Sequence, residues 1–176
     1  MQKTLYKTVR SGIFAAIICV SSFFVIPIGT VPISFTVFAV MLCAIVLSPL
    51  EAFFASAVYV LMGAVGLPVF SGGSGGFGML FGITGGYIWS YPLLALIVAL
   101  FAKINLNNKL LKFAVSFTGC LIGIILCYTL GTFQYILVAK THLYTALGVC
   151  VIPFVPIDII KALAAVSIGF AVKSRI

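Results

Sequence analysis

Asp158 and Lys161 stand three residues apart inside an apolar run near the C-terminal end of the chain. Helical spacing of i, i+3 puts both side chains on one face. An ionisable residue within a membrane-length apolar segment is costly and marks a functional site by default. Two structural roles compete with that reading. The pair can form a mutual salt bridge, and Asp158 in a first helical turn suits the helix dipole. Replacing a buried ion pair with apolar residues is often neutral or stabilising. A pocket for a small polar ligand therefore explains the pair better than stability does.

A second constellation is Phe70-Ser71-Gly72-Gly73-Ser74-Gly75-Gly76-Phe77-Gly78. It contains Gly73-x-Gly75-x-x-Gly78, a literal dinucleotide fingerprint. The fingerprint needs a βαβ unit and an acid about 20 residues further on, and neither is present. GK[ST] is also missing, so no recognised motif here hydrolyses a nucleotide. What such glycines offer is close backbone approach to a ligand. Other chemistry is thin. His142 is the one histidine, and no metal-ligand spacing or Ser/His/Asp set is apparent. Glu51 follows Ser48-Pro49-Leu50 as the third residue after a cap, which reads as a capping box. The five cysteines form no CxxC pair and sit mostly in apolar runs, as small buried hydrophobes do.

The elements that position these residues follow from composition. Hydrophobic residues are 64% and charged residues 7% of 176. Soluble domains carry about 25% charged residues, so there is too little polar surface for a water-facing globule. Apolar runs near the ~20 residues that cross a bilayer recur along the chain. The reading is an all-α integral membrane protein, one domain over residues 1–176, with six transmembrane helices near 11–26, 35–47, 49–65, 87–101, 113–138 and 156–172. The basic segment Met1 to Arg10 is expected to lead into a retained first helix. A break is expected at Pro27-Ile28-Gly29. Residues 66–86 carry nine glycines and are expected to be an irregular loop. Irregular backbone in a membrane is tolerated where it is buried or lines a cavity.

The net charge of +8 is no nucleic-acid footprint, because the basic residues sit at the ends of apolar runs. Lys3, Lys7, Arg10, Lys103, Lys109, Lys112, Lys173 and Arg175 fall on one side, and Lys140 alone falls in the opposite loops. The positive-inside rule then places both termini in the cytoplasm. The glycine-rich loop and the start of the last helix face outward. Ser11 with Ala15, and Gly12 with Ala16, form small-xxx-small pairs. They suit internal packing or the docking of another membrane subunit.

Several segments together resemble the BioY family, the substrate-binding components of energy-coupling factor (ECF) transporters for biotin. They are Val31-Pro32-Ile33-Ser34, Gly66-Leu67-Pro68-Val69-Phe70, Gly72-Gly73-Ser74-Gly75-Gly76, Gly82-Ile83-Thr84-Gly85-Gly86-Tyr87 and Pro153-Phe154-Val155-Pro156-Ile157-Asp158-Ile159-Ile160-Lys161-Ala162. The resemblance implies the six-helix S-component fold and an outward biotin pocket closed by the loops after the first and third helices. It implies substrate-binding positions at Asp158, Lys161, Tyr87, Ser74, Gly73, Phe70 and Thr84. It implies a docking face at Gly12, Ala16, Ser11 and Ala15 for a membrane-embedded T component, and a pair of cytoplasmic ATPases as further partners. No cofactor or metal is expected, biotin being the cargo, and the implied location is the bacterial plasma membrane. Asp158 suits the ureido N–H groups of biotin, while Lys161 suits either the ureido carbonyl or the tail carboxylate. Tyr87, Phe70 and Phe77 are candidates for apolar walls. The chain departs from the family pattern at Ser74, where some relatives have an amide residue. It departs also at Ile88, where some have arginine, and at Ile83, where many have proline. The rival readings are a sibling binding riboflavin or thiamin, a membrane enzyme using the glycine-rich loop, and a solo transporter. The enzyme reading needs an acid, base or metal cluster, for which Glu51, Asp158 and His142 are the candidates, and the topology sets Glu51 and Asp158 at opposite faces.

Overall fold

The structure, a computed structural model, describes residues 2–26 and 31–174. Helix α1 is Gln2–Ser21, and a short antiparallel ribbon follows, β1 (Val25–Ile26) paired with β2 (Ile33–Ser34). Then come α2 (Thr36–Val46), α3 (Pro49–Ala64), α4 (Phe77–Leu80), α5 (Gly85–Lys103), α6 (Lys109–Ala139), α7 (Leu143–Cys150) and α8 (Val155–Lys173). Among the described residues the six longer helices each overlap one of the six expected segments. Helices α5, α6 and α8 are long and apolar enough to cross a membrane, while α2 and α3 are apolar but shorter. The chain is a multi-pass membrane protein.

Boundaries follow local chemistry. Helix α3 begins where expected, because the Ser48 N–H donates to Glu51 Oε2 at 2.9 Å in a reciprocal capping box with Pro49 in the first turn. Asn108 caps α6 by accepting from the Leu110 and Leu111 N–H groups. Helix α1 departs from expectation at both ends. It starts within the basic segment and stops at Ser21, because Val25–Ile26 goes into the ribbon. A short apolar run fits helix or strand equally by periodicity. The expected break at Pro27-Ile28-Gly29 and the terminal Arg175 lie outside the described residues.

Helix α5 packs most extensively on α6, and α8 packs on α2. The α5–α6 contact is close because it is built on glycine. A Cβ at Gly86 would strike the Leu130 carbonyl, and one at Gly119 would strike Phe101. Basic side chains close the other end of α2. Lys173 Nζ donates to the Ile45 carbonyl at 3.1 Å, and Arg10 reaches the Val46 carbonyl at 3.5 Å. Cations there satisfy orphan carbonyls and oppose the helix dipole. Glu51 lies at that end and Asp158 at the start of α8, whose last turn carries Lys173. The two acids therefore do not meet.

The buried residues form two clusters. The larger holds Ala15, Ile18, Val40, Tyr59, Phe70, Leu94, Val98, Cys127 and Ala165 among others. The smaller joins Val31, Ile33, Tyr135, Ala146, Cys150 and Phe154. Tyr87 and Tyr128 pack against both. The space between the two clusters is the site.

Candidate functional site

A cavity of about 260 Å³ opens between the clusters, near the lower end of the ~300–1,000 Å³ usual for small-molecule sites. Its walls come from the residues after α1 (Val31, Pro32, Ser34), the turn after α3 (Phe70, Ser71, Ser74), and α5, α6 and α8. Most of the lining is apolar or aromatic, and its two charged groups meet at one place.

That place is the first turn of α8. Asp158 and Lys161 are 4% and 6% exposed, so neither charge is relieved by water. Lys161 Nζ donates to Asp158 Oδ1 at 2.8 Å and to the Ser34 carbonyl at 2.9 Å. Tyr128 Oη donates to Asp158 Oδ2 at 2.8 Å. The mutual salt bridge that competed with the pocket reading is therefore present, and the bridged pair also lines the cavity. The bridge leaves capacity over. An ammonium has three donors and a carboxylate about four acceptor positions. Two are used on each, which leaves about one donor and two acceptors for a ligand. The formal charges cancel, so the triad is a neutral donor–acceptor surface.

The backbone of the glycine-rich segment positions the opposite wall. Gly72 and Gly73 have φ of 73° and 77°, a left-handed conformation that suits glycine. They tighten a 3-10 turn at Ser71–Gly73, closed by the bridge between Phe70 and Ser74. Ser74 Oγ donates to the Ser71 carbonyl at 3.0 Å. The turn sets Phe70, Ser71 and Ser74 against the cavity. Phe70 is itself seated on Gly63, where any Cβ would run into its ring. Tyr87 is seated in the same way on Gly131, and its hydroxyl donates to the Cys150 carbonyl at 2.9 Å. This bond fastens α7 to α5.

Six of the seven expected substrate-binding residues line the cavity: Phe70, Ser74, Thr84, Tyr87, Asp158 and Lys161. Gly73 does not line it but shapes the turn. Phe77 faces outward, 63% exposed, its ring tilted against that of Phe81 at 5.1 Å between centroids. Its expected place in the wall is a misreading. Of the four expected docking residues, Gly12 and Ala16 are exposed. Ala15 is buried in the core, and Ser11 donates to the Glu51 carbonyl at 3.3 Å. Those two serve internal packing, because α1 turns the Ser11–Ala15 face toward α3. His142 stands exposed at the N-cap position of α7 with no side-chain capping bond, and it is not among the cavity residues.

Sequence reasoning missed Tyr128, Tyr91, Ile124, Cys127 and the helix α7. Tyr128 had a faint signal, a phenol in the middle of an apolar span that needs a polar partner when buried. Helix α7 had almost none, being eight residues inside an expected loop. Gln134 was also missed. Its amide donates to the Leu80 and Gly82 carbonyls, both at 2.8 Å, and pins the glycine-rich segment to α6.

A profile described as the BioY family matches residues 1–176. "Biotin transporter BioY" of Thermotoga maritima is 38% identical over 168 residues, covering 95% of each chain. "Biotin transporter BioY2" of Lactococcus lactis is 36% identical over 172 residues, covering 97% of this chain and 92% of that one. The fold matches a crystal structure of the S-component for biotin from an ECF-type ABC transporter. The TM-score is 0.87 at 24% identity, over 98% of this chain and 93% of that chain.

Proposed function

The chain belongs to the BioY family, and from that premise we propose that it is the high-affinity biotin-binding membrane subunit of an ECF-type uptake transporter. The observation that carries this reading is the neutral Tyr128–Asp158–Lys161 triad at one end of an apolar, aromatic cavity. Biotin offers a matching pattern. Its ureido ring presents two N–H donors and one carbonyl acceptor, and its bicycle is apolar. The free lone pairs of Asp158 accept ureido N–H groups, and the remaining donor of Lys161 meets the ureido carbonyl. Phe70, Tyr87 and Tyr91 supply the walls. Ser74 and Thr84 supply polar edges, and Gly73 holds the turn that presents Ser74. Binding energy is concentrated in the polar head, since leaving such a group buried and unpaired costs ~1–3 kcal/mol.

In this reading the protein is not an enzyme and needs no cofactor. It sits in the bacterial plasma membrane with six crossings and both termini inside, in keeping with its basic residues. Transport is driven by partners, a T component in the membrane and paired cytoplasmic ATPases. The exposed small pair Gly12 and Ala16 offers the T component a close approach on α1. Calorimetric titration of the purified protein with biotin, riboflavin and thiamin tests the ligand. One-to-one binding of biotin alone is expected, and folded protein that ignores biotin sinks the proposal. Liposomes test the partners, because uptake by this chain alone would remove the need for them.

A further inference from the structure

On the reading that biotin occupies this cavity, we infer that the site recognises the ureido head without selecting for charge on the tail, so that neutral-tail derivatives such as biotinamide bind as well as biotin does. The argument is an inventory of charge. To prefer a carboxylate over the nearly isosteric amide by charge, a site must hold an uncompensated cation near the tail, because a hydroxyl can turn either its proton or its lone pairs to a ligand. Among the described residues lining the cavity, Lys161 is the one cation. It is already neutralised by Asp158 at 2.8 Å, and a second donor goes to the Ser34 carbonyl. A tail carboxylate brought to Lys161 would have to share it with the Asp158 carboxylate, and two anions crowded into one poorly solvated place repel. Residues 27–30 read Pro-Ile-Gly-Thr and add no cation.

The hydroxyl groups point the same way. Ser74 and Tyr87 have given their protons to the Ser71 and Cys150 carbonyls. What they turn to the cavity is acceptor lone pairs, which suit an amide N–H at least as well as a carboxylate oxygen. The other lining hydroxyls, Ser71, Thr84 and Tyr91, can rotate to donate to a carboxylate or to accept from an amide N–H, so they serve either tail. The other nearby basic residue of the outer loops, Lys140, is exposed and outside the lining. Nothing in the wall therefore distinguishes an anionic tail from a neutral one by charge.

The test is a parallel calorimetric titration of the purified full chain with biotin and with biotinamide, each at low and high salt. A charge-assisted contact to a carboxylate is worth roughly 10- to 100-fold in affinity. Without one, the two ligands are expected to bind within about threefold of each other, and biotin affinity should barely respond to salt, since no exposed charge pair is there to screen. Biotinamide weaker than biotin by more than about tenfold overturns the inference while leaving the biotin site intact. Failure of both ligands to bind overturns the functional reading and this inference with it.

Discussion

Removing one member of the Asp158–Lys161 pair should cost far more stability than removing both, while either change should abolish recognition. In Lys161→Met the Asp158 carboxylate, 4% exposed, keeps only the Tyr128 hydroxyl. Breaking a buried pair in this way costs about 3–5 kcal/mol. In Asp158→Asn the buried ammonium keeps the Ser34 carbonyl but loses its counter-ion, with a cost of similar order. The double variant Asp158→Asn with Lys161→Met buries no charge. Its residual deficit is the Ser34 carbonyl left without its donor, about 1–3 kcal/mol. The two changes should therefore be non-additive by about 3 kcal/mol or more, at or above the upper end of measured couplings between contacting residues. Equilibrium unfolding in mixed micelles measures the four corners of the cycle, and biotin titration of the same samples measures recognition. Additive effects, each below ~1 kcal/mol, would mean that water reaches the pair and that the desolvation argument is wrong. A stable double variant with wild-type biotin affinity would assign the pair to structure and remove it from the site.

Three further outcomes follow from packing and access. Gly131→Ala drives a methyl group into the Tyr87 ring, and should cost about 1–3 kcal/mol through overpacking while weakening biotin binding as the wall shifts. Thermal unfolding and titration read both. Cys127 is the cysteine whose side chain lines the cavity among the described residues. With Cys19, Cys43, Cys120 and Cys150 replaced by alanine, Cys127, 2% exposed, is reached by a small methanethiosulfonate reagent only as the fold opens, and biotin at 100 times its Kd should slow that labelling by about 100-fold. Undiminished labelling would place biotin elsewhere. Glu51→Ala removes the acceptor for the Ser48 N–H and should cost about 0.5–2 kcal/mol. Glu51→Gln preserves the capping box, and neither change should alter biotin affinity. A loss of binding in Glu51→Gln would mean that the two ends of the fold are coupled.

The sequence alone located the six longer helices and singled out the Asp158–Lys161 pair. Membrane helices are legible because the bilayer demands long apolar runs, and caps such as Ser48-Pro49-Leu50-Glu51 are written within four residues. Asp158 and Lys161 are legible because charge is so scarce in this chain that any within a span must have a reason. Tertiary structure alone decided which faces meet. Tyr128 is 30 residues from Asp158, and Ser34 is 127 residues from Lys161. Such pairings have no local signature, because they depend on helix rotation and crossing rather than on neighbours along the chain. The same cause separates Ser11 and Ala15 from Gly12 and Ala16, four small residues on adjacent turns that a single rotation of α1 divides between core and exterior. It also explains Phe77, whose place in a glycine-rich segment suggested a wall. The backbone of that segment turns at Gly76, with φ of 103°, and carries the ring out of the cavity. Composition and spacing specify what each segment can be, and packing specifies what each side chain touches.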